Sequence, residues 1–517
     1  MNYIDIGIDF GAENIVVIAI GYDSKGRKDY KLINLDSNFS IKNYIGQKPD
    51  ESYDIGSDVK LSYAHHNLDK SYNWVEGRYK SHLSEETRND NIFQKSEKLA
   101  QIGLDILLNK IESFDFSPFF QGTLRNISVG IPQAWDNKRK DIYFKSLANW
   151  QHGEVFLLSE PVAATISAIH KSVNNLQDIP VMILDIGAST LDISFSRYED
   201  NNIKVYKTAK RIDKAGHFFD IIFASFAISV EINKQAKYNL ILRADILKLR
   251  KVEDYIKYIN DNQSKYSSLL LEIESIKENN LTEIIKFNKK KLIDTSHTAP
   301  LTINKEIYDS ALKFYISMIC KDINLAISDF EKEITLDNNN LYPVICGGGS
   351  SLFNFEKRLK ENIKYGDKTI SISEGNKIDI TIALGLAYYA QDKSIISKAL
   401  DTQISCDFFI DDTKDEIILF DYQENYPLKE DKKLSSLINS DKEIIFYGES
   451  KEISFNLNFK KENKITKKLF QSEFKNIEKG NKFDLSFNLD INERLIVNLE
   501  NLSNGEIFKS MIFADNL

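Results

Sequence analysis

Residues 181–192 read Val181-Met182-Ile183-Leu184-Asp185-Ile186-Gly187-Ala188-Ser189-Thr190-Leu191-Asp192. An apolar strand ends at Asp185, a turn of small residues follows, and a second strand begins at Leu191. Small residues in such a turn let backbone N–H groups approach a ligand closely. The stretch therefore predicts a strand–turn–strand hairpin that can bind an anion.

The same pattern occurs at the start of the chain. Ile4 to Phe10 forms an apolar run with Asp9 near its end, Gly11 and Ala12 follow, and Ile15 to Ile18 is a β-branched run. Strand residues follow each turn where a Rossmann or P-loop site would begin a helix. Two such hairpins predict a clamp around one polyphosphate, and each aspartate can hold the waters of a Mg²⁺ ion.

Composition limits the classes of function. The chain has 517 residues, which is too long for one core and predicts two to four domains. A net charge of −9 argues against nucleic acid as the main partner. The sequence shows no apolar run of membrane-span length and no apparent signal peptide. The three cysteines are scattered, which is typical of a reducing cytoplasm and argues against a structural zinc cluster.

The rest of the chain alternates predicted helices and strands up to about residue 391. Glu160-Pro161 begins a predicted helix, where Glu160 either caps the helix or orients water. Residues 269–293 suggest a strand pair, and 240–259 a charged amphipathic helix. A strand from Leu341 to Cys346 precedes a glycine-rich loop, which predicts close backbone approach to a ring or phosphate. From Ser405 to Leu517, short recurring strands predict a β-sandwich.

These motifs resemble those of the Hsp70 chaperones, within the actin/hexokinase/Hsp70 ATPase superfamily, and specifically divergent members. The resembling segments come in family order: Gly7 to Gly11, Gly130-Ile131-Pro132, Ser159 to Ala164, Leu184 to Asp192, and Ile345 to Ser351 with Asp379 to Gly385. They cover about residues 1–395, and residues 487–497 resemble a late hairpin of the Hsp70 substrate domain.

The resemblance implies an α/β fold, with a two-lobed actin-like ATPase domain of ribonuclease H-like subdomains at 1–395. A linker at 396–404 and a β-sandwich substrate domain at 405–517, without a helical lid, would follow. The implied cofactors are ATP, Mg²⁺ and K⁺. The implied partners are extended or unfolded polypeptides, a J-domain protein and a nucleotide exchange factor, in the cytoplasm.

The resemblance also assigns roles to individual residues. The implied catalytic residues are Lys80, Glu160, Asp185 and Thr190, with Arg78 as the alternative to Lys80. Asp9 and Asp185 would hold Mg²⁺ through water. The implied nucleotide contacts are Asp9, Gly11, Ala12, Glu13, Gly187, Ala188, Ser189, Asp192, Gly216, Glu253, Lys257, Asn260, Gly347, Gly348, Gly349, Ser350 and Asp379.

Several positions depart from the family pattern. Ala12-Glu13 stands where two threonines normally contact phosphate, and a carboxylate facing phosphate costs Coulomb energy unless it points away or pairs with a cation. Ala188-Ser189 replaces two glycines of the second loop. Phe156 stands where many relatives have an arginine that couples to J-domain proteins.

Four functions are compatible with these observations. The leading hypothesis is an Hsp70-like chaperone whose ATP hydrolysis regulates polypeptide binding by the β-domain. The departure at Ala12-Glu13 favours a nucleotide-gated binding module with negligible turnover. An actin-like filament protein ranks lower because such filaments need no appended sandwich, and a sugar or acetate kinase ranks last for the same reason.

Overall fold

The computed structural model describes most of the chain. The described residues are all except 1, 37–39, 65–69, 78, 85–89, 134, 172–175, 200–201, 206–209, 236–250, 280–283, 286–290, 294–300, 334–340, 371, 373–378, 394–397, 400–402, 411–412, 421–424, 427–430, 434–443, 446–451, 462–463, 474–481, 490–493, 503–506 and 514–517.

The described strands and helices alternate through the first three quarters of the chain, and strands alone follow. The strands are β1 Tyr3–Phe10, β2 Asn14–Tyr22, β3 Lys28–Leu32, β4 Ile41–Lys42, β5 Tyr44–Gln47, β6 Tyr53–Ile55, β7 Trp74–Gly77, β8 Thr123–Ile131, β9 Val155–Ser159, β10 Pro180–Ile186, β11 Leu191–Glu199, β12 Asn202–Val205, β13 Lys210–Ile212, β14 Lys291–Ile293, β15 Leu301–Ile303, β16 Tyr342–Cys346, β17 Lys398–Ala399, β18 Gln403–Ile410, β19 Thr413–Phe420, β20 Asn425–Tyr426, β21 Lys432–Lys433, β22 Ile444–Ile445, β23 Glu452–Lys461, β24 Lys464–Glu473, β25 Lys482–Leu489, β26 Arg494–Asn501 and β27 Ile507–Phe513.

The helices all precede residue 392 in the described part of the chain. They are α1 Ser57–Ala64, α2 Tyr79–Ser84, α3 Asp90–Glu112, α4 Asn137–Leu147, α5 Glu160–Lys171, α6 Gly216–Gln235, α7 Val252–Asp261, α8 Ser267–Asn279, α9 Lys305–Glu333, α10 Phe355–Lys360 and α11 Thr381–Gln391. Short 3-10 turns occur at Gln263–Tyr266, Gly348–Ser351 and Gly366–Lys368. None of the described helices is long and apolar enough to span a membrane.

The chain divides into two compact units. The first comprises residues 1–198 and 205–391, and the second comprises 199–204 and 392–517. The predicted linker at 396–404 includes β17 and the first residues of β18. The mixed α/β class predicted from the sequence is confirmed.

Two sheets of the first unit share one strand pattern. In the first sheet, of order β3-β2-β1-β8-β9, β1 is antiparallel to β2 and parallel to β8. In the second, β10 lies between β11 and β16, antiparallel to the former and parallel to the latter. Both hairpins predicted from the aspartate–glycine turns are therefore confirmed, and each has a parallel strand on its other side.

Separate apolar cores support these two sheets. One core joins residues of β1, β2 and β8 to the inner faces of α3 and α4. The other joins residues of β10 and β11 to α6, α8 and α9. The helical periodicity at Asn304–Phe330 predicted α9, whose buried face includes Tyr308, Leu312 and Ile319.

Helices α5 and α11 pack tightly because glycines remove side chains at their contacts. A Cβ on Gly385 of α11 would overlap the carbonyl of Ala163 in α5, and a Cβ on Gly7 of β1 would overlap the backbone at Ala383 and Ala387. Glycine at position 385 therefore permits the close packing of α11 against α5. Helix α11 contacts both α5 and β1, so it connects α5, and with it Glu160, to β1.

The second unit is all-β in its described residues. One antiparallel sheet has the order β19-β18-β23-β24, and another has the order β21-β25-β26-β27, with β22 beside β25. Buried apolar residues alternate along β25 and β26, including Leu485, Phe487, Leu495 and Val497. This alternation is the pattern of sheets that bury one face.

One predicted element was wrong, and one strand was not predicted. Residues 269–279 form most of α8 instead of a strand, because Leu269, Ile273 and Ile276 recur at helical spacing and are buried on one face. The sequence did not single out the strand at Lys464–Glu473, where β24 pairs with β23 along ten residues of each. The predicted helix at 240–259 is described only from residue 252, and its earlier part lies outside the described residues.

Candidate functional site

Asp9 and Asp185 lie at equivalent places in the two hairpins. Asp9 is opposite Val16 in the β1–β2 pair, and Asp185 is opposite Asp192 in the β10–β11 pair. Both side chains are partly exposed. Burial, then the charge of Glu160 and to a smaller extent that of Asp379, raises the pKa of Asp9 to about 7, while the charge of Lys80 acts in the opposite direction. Burial raises the pKa of Asp185 well above its usual range. The negative charges of neighbouring carboxylates add to this effect, in decreasing order Glu160, Asp192, Asp9 and Asp379. The two hairpins thus bring their aspartates into one electrostatic site.

Helix α2 contacts both sides of this site. Lys80 Nζ lies 2.8 Å from Glu160 Oε1 at the start of α5, and the two side chains are only 6% and 13% exposed. The next residue, Ser81, has its hydroxyl 2.9 Å from the Ser189 hydroxyl in the second turn. The structure therefore brings together Lys80, Glu160 and Ser189, three of the residues implied by the family resemblance. Arg78 lies outside the described residues.

The turn from Gly187 to Thr190 is fixed by its own hydrogen bonds and by α6. The Gly187 N–H donates to the Thr190 carbonyl at 2.9 Å, and the Gly216 N–H donates to the Gly187 carbonyl at 3.0 Å. The Thr190 hydroxyl donates to Asp192 Oδ2 at 2.8 Å. A Cβ on Gly216 would lie 3.4 Å from Ala188 Cα, so the loop and the first turn of α6 are in contact.

The glycine-rich loop after β16 lies against Asp185. Gly347 has φ of +85°, and a Cβ there would overlap Asp185 Oδ1 and the Ile186 carbonyl, so this position requires glycine. The Gly347 N–H donates to Asp379 Oδ2, and Asp379 Oδ1 accepts from the Thr381 hydroxyl at 2.6 Å at the start of α11.

The rest of that loop is open on one side. A Cβ on Gly348 would meet no atom within 4 Å, whereas one on Gly349 would overlap Ile186. The Ser350 hydroxyl donates to the Gly347 carbonyl at 2.7 Å. Backbone at Gly348 is therefore accessible to a ligand beside Asp185.

The first turn binds its neighbours through Gly11 and Glu13. Asn43 Nδ2 donates to the Gly11 carbonyl at 2.7 Å, and the Asn43 N–H donates to the Glu13 carbonyl at 2.9 Å. Ala12, between them, adds no polar side chain, so only its backbone can contact a phosphate.

Glu13 is buried and forms an ion pair. Its Oε1 lies 2.7 Å from Lys60 Nζ, and its Oε2 accepts from the Tyr44 hydroxyl at 3.1 Å. The same ammonium lies 3.4 Å from Glu274 Oε1 of α8. Burial, then the charge of Glu274, raises the pKa of Glu13, and Lys60 opposes both. The Coulomb cost expected of a carboxylate at this position is therefore offset by a lysine.

The residues implied for the base-binding helix lie elsewhere. Glu253, Lys257 and Asn260 are exposed on α7, and in the described part of the chain none forms a hydrogen bond or ion pair with the residues of the two turns. Helix α8 instead supplies Glu274 to the Lys60 cluster, and Lys277, which lies 2.7 Å from Asp220 Oδ1 of α6.

Sequence reasoning missed Lys60, Glu274 and Asn43. Each comes from an element remote in sequence from the turn that it contacts, so no local pattern pointed to it. The one available signal was the Glu274-x-x-Lys277 spacing, which places both side chains on one face of a helix. The prediction of strand at these residues concealed it.

The donor set suits a hard cation held through water. Among the described residues, no group of three or more His, Cys, Asp or Glu side chains is placed to ligate a metal directly. Asp9 and Asp185 nevertheless raise the free energy of each other's ionised forms, and a divalent cation relieves such repulsion. Mg²⁺ keeps several waters and takes few protein oxygens, so these two carboxylates fit it.

No model of a known protein family matches the sequence. The assignment of a function therefore depends on the residues and contacts described above.

Proposed function

We propose that the first unit binds MgATP between the two hairpins and hydrolyses it, and that the second unit binds extended polypeptide, as in an Hsp70-like chaperone. The observation that carries the proposal is the buried ion pair between Lys80 and Glu160, 2.8 Å apart, whose glutamate charge raises the pKa of both Asp9 and Asp185 in the two hairpins. The actin-like, two-lobed fold is part of the same proposal, and the shared strand pattern of the two sheets supports it.

Each residue has a role in the proposed reaction. Asp9 and Asp185 would hold Mg²⁺, which neutralises phosphate charge when bound. Backbone at Gly11, Gly187 and Gly348 would approach the nucleotide. Phosphoryl transfer to water needs positioning and charge stabilisation with little covalent chemistry. Glu160 would orient the attacking water, while the Lys80 ammonium would fix Glu160 and stabilise negative charge at the phosphate.

The proposed site makes a measurable prediction. MgATP at about 100 times its dissociation constant should stabilise the fold by roughly 2.7 kcal/mol, because it binds the folded state alone. The thermal midpoint of unfolding should rise with MgATP in the parent protein. Asp185→Asn should reduce this rise because it removes one of the two Mg²⁺-holding carboxylates. No rise at millimolar MgATP in the parent protein would reject the nucleotide site.

A second candidate is a nucleotide-gated binding module with negligible turnover. It is favoured by Ala12 and Glu13, because the Glu13 carboxylate binds Lys60 and Tyr44 and so leaves the first turn without a hydroxyl for the phosphates. Single-turnover hydrolysis separates the two candidates. Bound ATP that stays intact while the thermal midpoint rises would select the binding module.

A further inference from the structure

Tyr143 is a buried tyrosine beside the candidate site. It lies on α4, its side chain is 0% exposed, and its ring packs edge-on against Phe10 and Trp135 with centroid distances of 5.7 and 4.9 Å. Phe10 follows Asp9 directly on β1. Two perpendicular ring contacts fix the direction of the phenol, since they restrict rotation about both side-chain bonds.

The Tyr143 hydroxyl has no hydrogen-bond partner among the described residues. Buried polar atoms are nearly always hydrogen-bonded, so an exception calls for an explanation. Burial raises the pKa of Tyr143 well above its usual range, and the charges of Glu160 and then Asp9 add to the effect. The phenol is therefore a protonated donor at any physiological pH, and the acidic groups that act on it are those of the candidate site.

Glu160 offers the matching acceptor. Its Oε1 accepts from Lys80 at 2.8 Å, and the described residues supply no donor to Oε2. A carboxylate that receives one hydrogen bond can still rotate about its last side-chain bond, whereas a second donor on the other oxygen fixes its plane.

We propose that Tyr143 is a positioning residue for Glu160: its hydroxyl donates through one water to the glutamate carboxylate and holds it in the orientation that activates the attacking water. This inference rests on the proposed ATPase function. Lys80 and Tyr143 then act on the two oxygens of one carboxylate, the first as a cation and the second as a neutral donor. The alternative is that the tyrosine ring only fills the core.

Tyr143→Phe distinguishes these roles because it removes the hydroxyl and keeps the ring. The measurements are the single-turnover rate of ATP hydrolysis, the dissociation constant of MgATP, and the ligand-free thermal midpoint. We expect a rate about tenfold lower, a dissociation constant within about twofold of the parent value, and a midpoint no lower than that of the parent. In a Glu160→Gln background, Tyr143→Phe should cause no further loss of rate, because the residue acts through Glu160.

Tyr308→Phe is the matched control. Tyr308 is equally buried in the other core, and its hydroxyl donates to the Phe353 carbonyl at 2.7 Å. Its removal should lower the ligand-free midpoint and leave the single-turnover rate unchanged.

Three outcomes would overturn the inference. If the parent hydrolyses ATP and Tyr143→Phe does so at the same rate, the inference fails and the proposed function stands. If Tyr143→Phe slows the Glu160→Gln variant by the same factor as the parent, the tyrosine does not act through Glu160. A parent protein that shows no hydrolysis in a single turnover removes both the proposed ATPase function and this inference.

Discussion

Individual side chains of the candidate site carry more negative than positive charge. Asp9, Glu160, Asp185 and Asp379 interact electrostatically. Among the described residues, Lys80 is the one cation that contributes to the pKa shift of Asp9. Such a set is costly in a protein without a ligand, because like charges close together resist ionisation. The arrangement is better suited to a site completed by a cation than to one that stabilises the fold.

The raised pKa of Asp9 predicts how stability depends on pH. The folded carboxyl, with a pKa of about 7, retains a proton that the unfolded carboxyl, with an ordinary value of 3.8, has lost. The folded state therefore binds more protons between these values, and the free energy of unfolding falls as pH rises through this window. For Asp9 the slope should reach at most about 1 kcal/mol per pH unit, since the side chain is partly exposed.

The measurement is urea unfolding of the ligand-free protein at pH 5.5 and pH 7.5. The parent should be less stable at the higher pH, and Asp9→Asn should show a smaller difference because it carries no titrating group at that position. The raised pKa of Asp9 would be contradicted if the parent protein were no less stable at pH 7.5 than at pH 5.5. It would also be contradicted if the parent and the variant showed the same difference between the two pH values.

Lys60 predicts a larger effect on stability. Its ammonium lies between the buried carboxylates of Glu13 and Glu274, at 2.7 and 3.4 Å. Lys60→Met keeps the unbranched apolar stem of the side chain and leaves these carboxylates without that ammonium. Removing one partner of a buried ion pair typically costs about 3–5 kcal/mol, and we expect a loss of this size in the free energy of unfolding.

A compensating variant serves as the control for Lys60. Glu13→Gln combined with Glu274→Gln in the Lys60→Met background removes the uncompensated charges and should recover most of the lost stability. If Lys60→Met alone changes stability by less than about 0.5 kcal/mol, the cluster is a solvated contact of the kind seen at surfaces.

Whole elements were predicted well where one periodicity dominated the sequence. The two hairpins and α9 follow from alternation or from helical spacing alone. Helix α8 was missed because Leu269-Leu270-Leu271 is an apolar run that fits a strand as well as a buried helix. Strand β24 was missed because Lys467 and Lys468 interrupt its alternation of apolar and polar residues. The segment is a strand because it pairs with β23, and this tertiary contact outweighs the weak strand preference of its local sequence.

The contact between α5 and α11 makes an element-scale prediction. Alanine in the interior of a helix is about 1 kcal/mol more favourable than glycine, so Gly385→Ala should stabilise α11 in isolation. In the folded protein, however, the added methyl group would overlap the Ala163 carbonyl, and overpacking of this kind costs about 1–3 kcal/mol. We expect a net loss in the free energy of unfolding.

The control for Gly385 is Ser317→Ala, an exposed position in α9 where no overlap arises. It should leave stability unchanged or slightly raised. Equal behaviour of the two variants would mean that α11 can move away from α5 at little cost, and that Glu160 is held less rigidly than the glycine contacts indicate.

At the scale of the whole molecule, the proposed activities separate by unit. The described candidate-site residues lie within residues 1–391, a part of the chain that contains two apolar cores. The described part of residues 392–517 is built from antiparallel sheets. Sheets of this kind bind extended peptides through strand-edge hydrogen bonds and apolar pockets. The units therefore predict nucleotide binding by one and peptide binding by the other.

A protein ending at Gln391 tests this separation. It should retain most of the MgATP-induced rise in thermal midpoint, because Asp9, Asp185, Glu160 and Lys80 are all present, and it should lose binding of a fluorescent apolar peptide that the whole chain binds. Anisotropy measures the peptide, and the thermal midpoint in the same sample verifies that the shortened protein is folded. Asp185→Asn in the whole chain is the converse control, since it should weaken MgATP binding and leave peptide binding in the absence of nucleotide unchanged. Equal peptide affinity of the shortened and whole proteins would remove the β-sheets of residues 392–517 from peptide recognition, and with them the chaperone proposal, while the nucleotide site would still stand on the MgATP result.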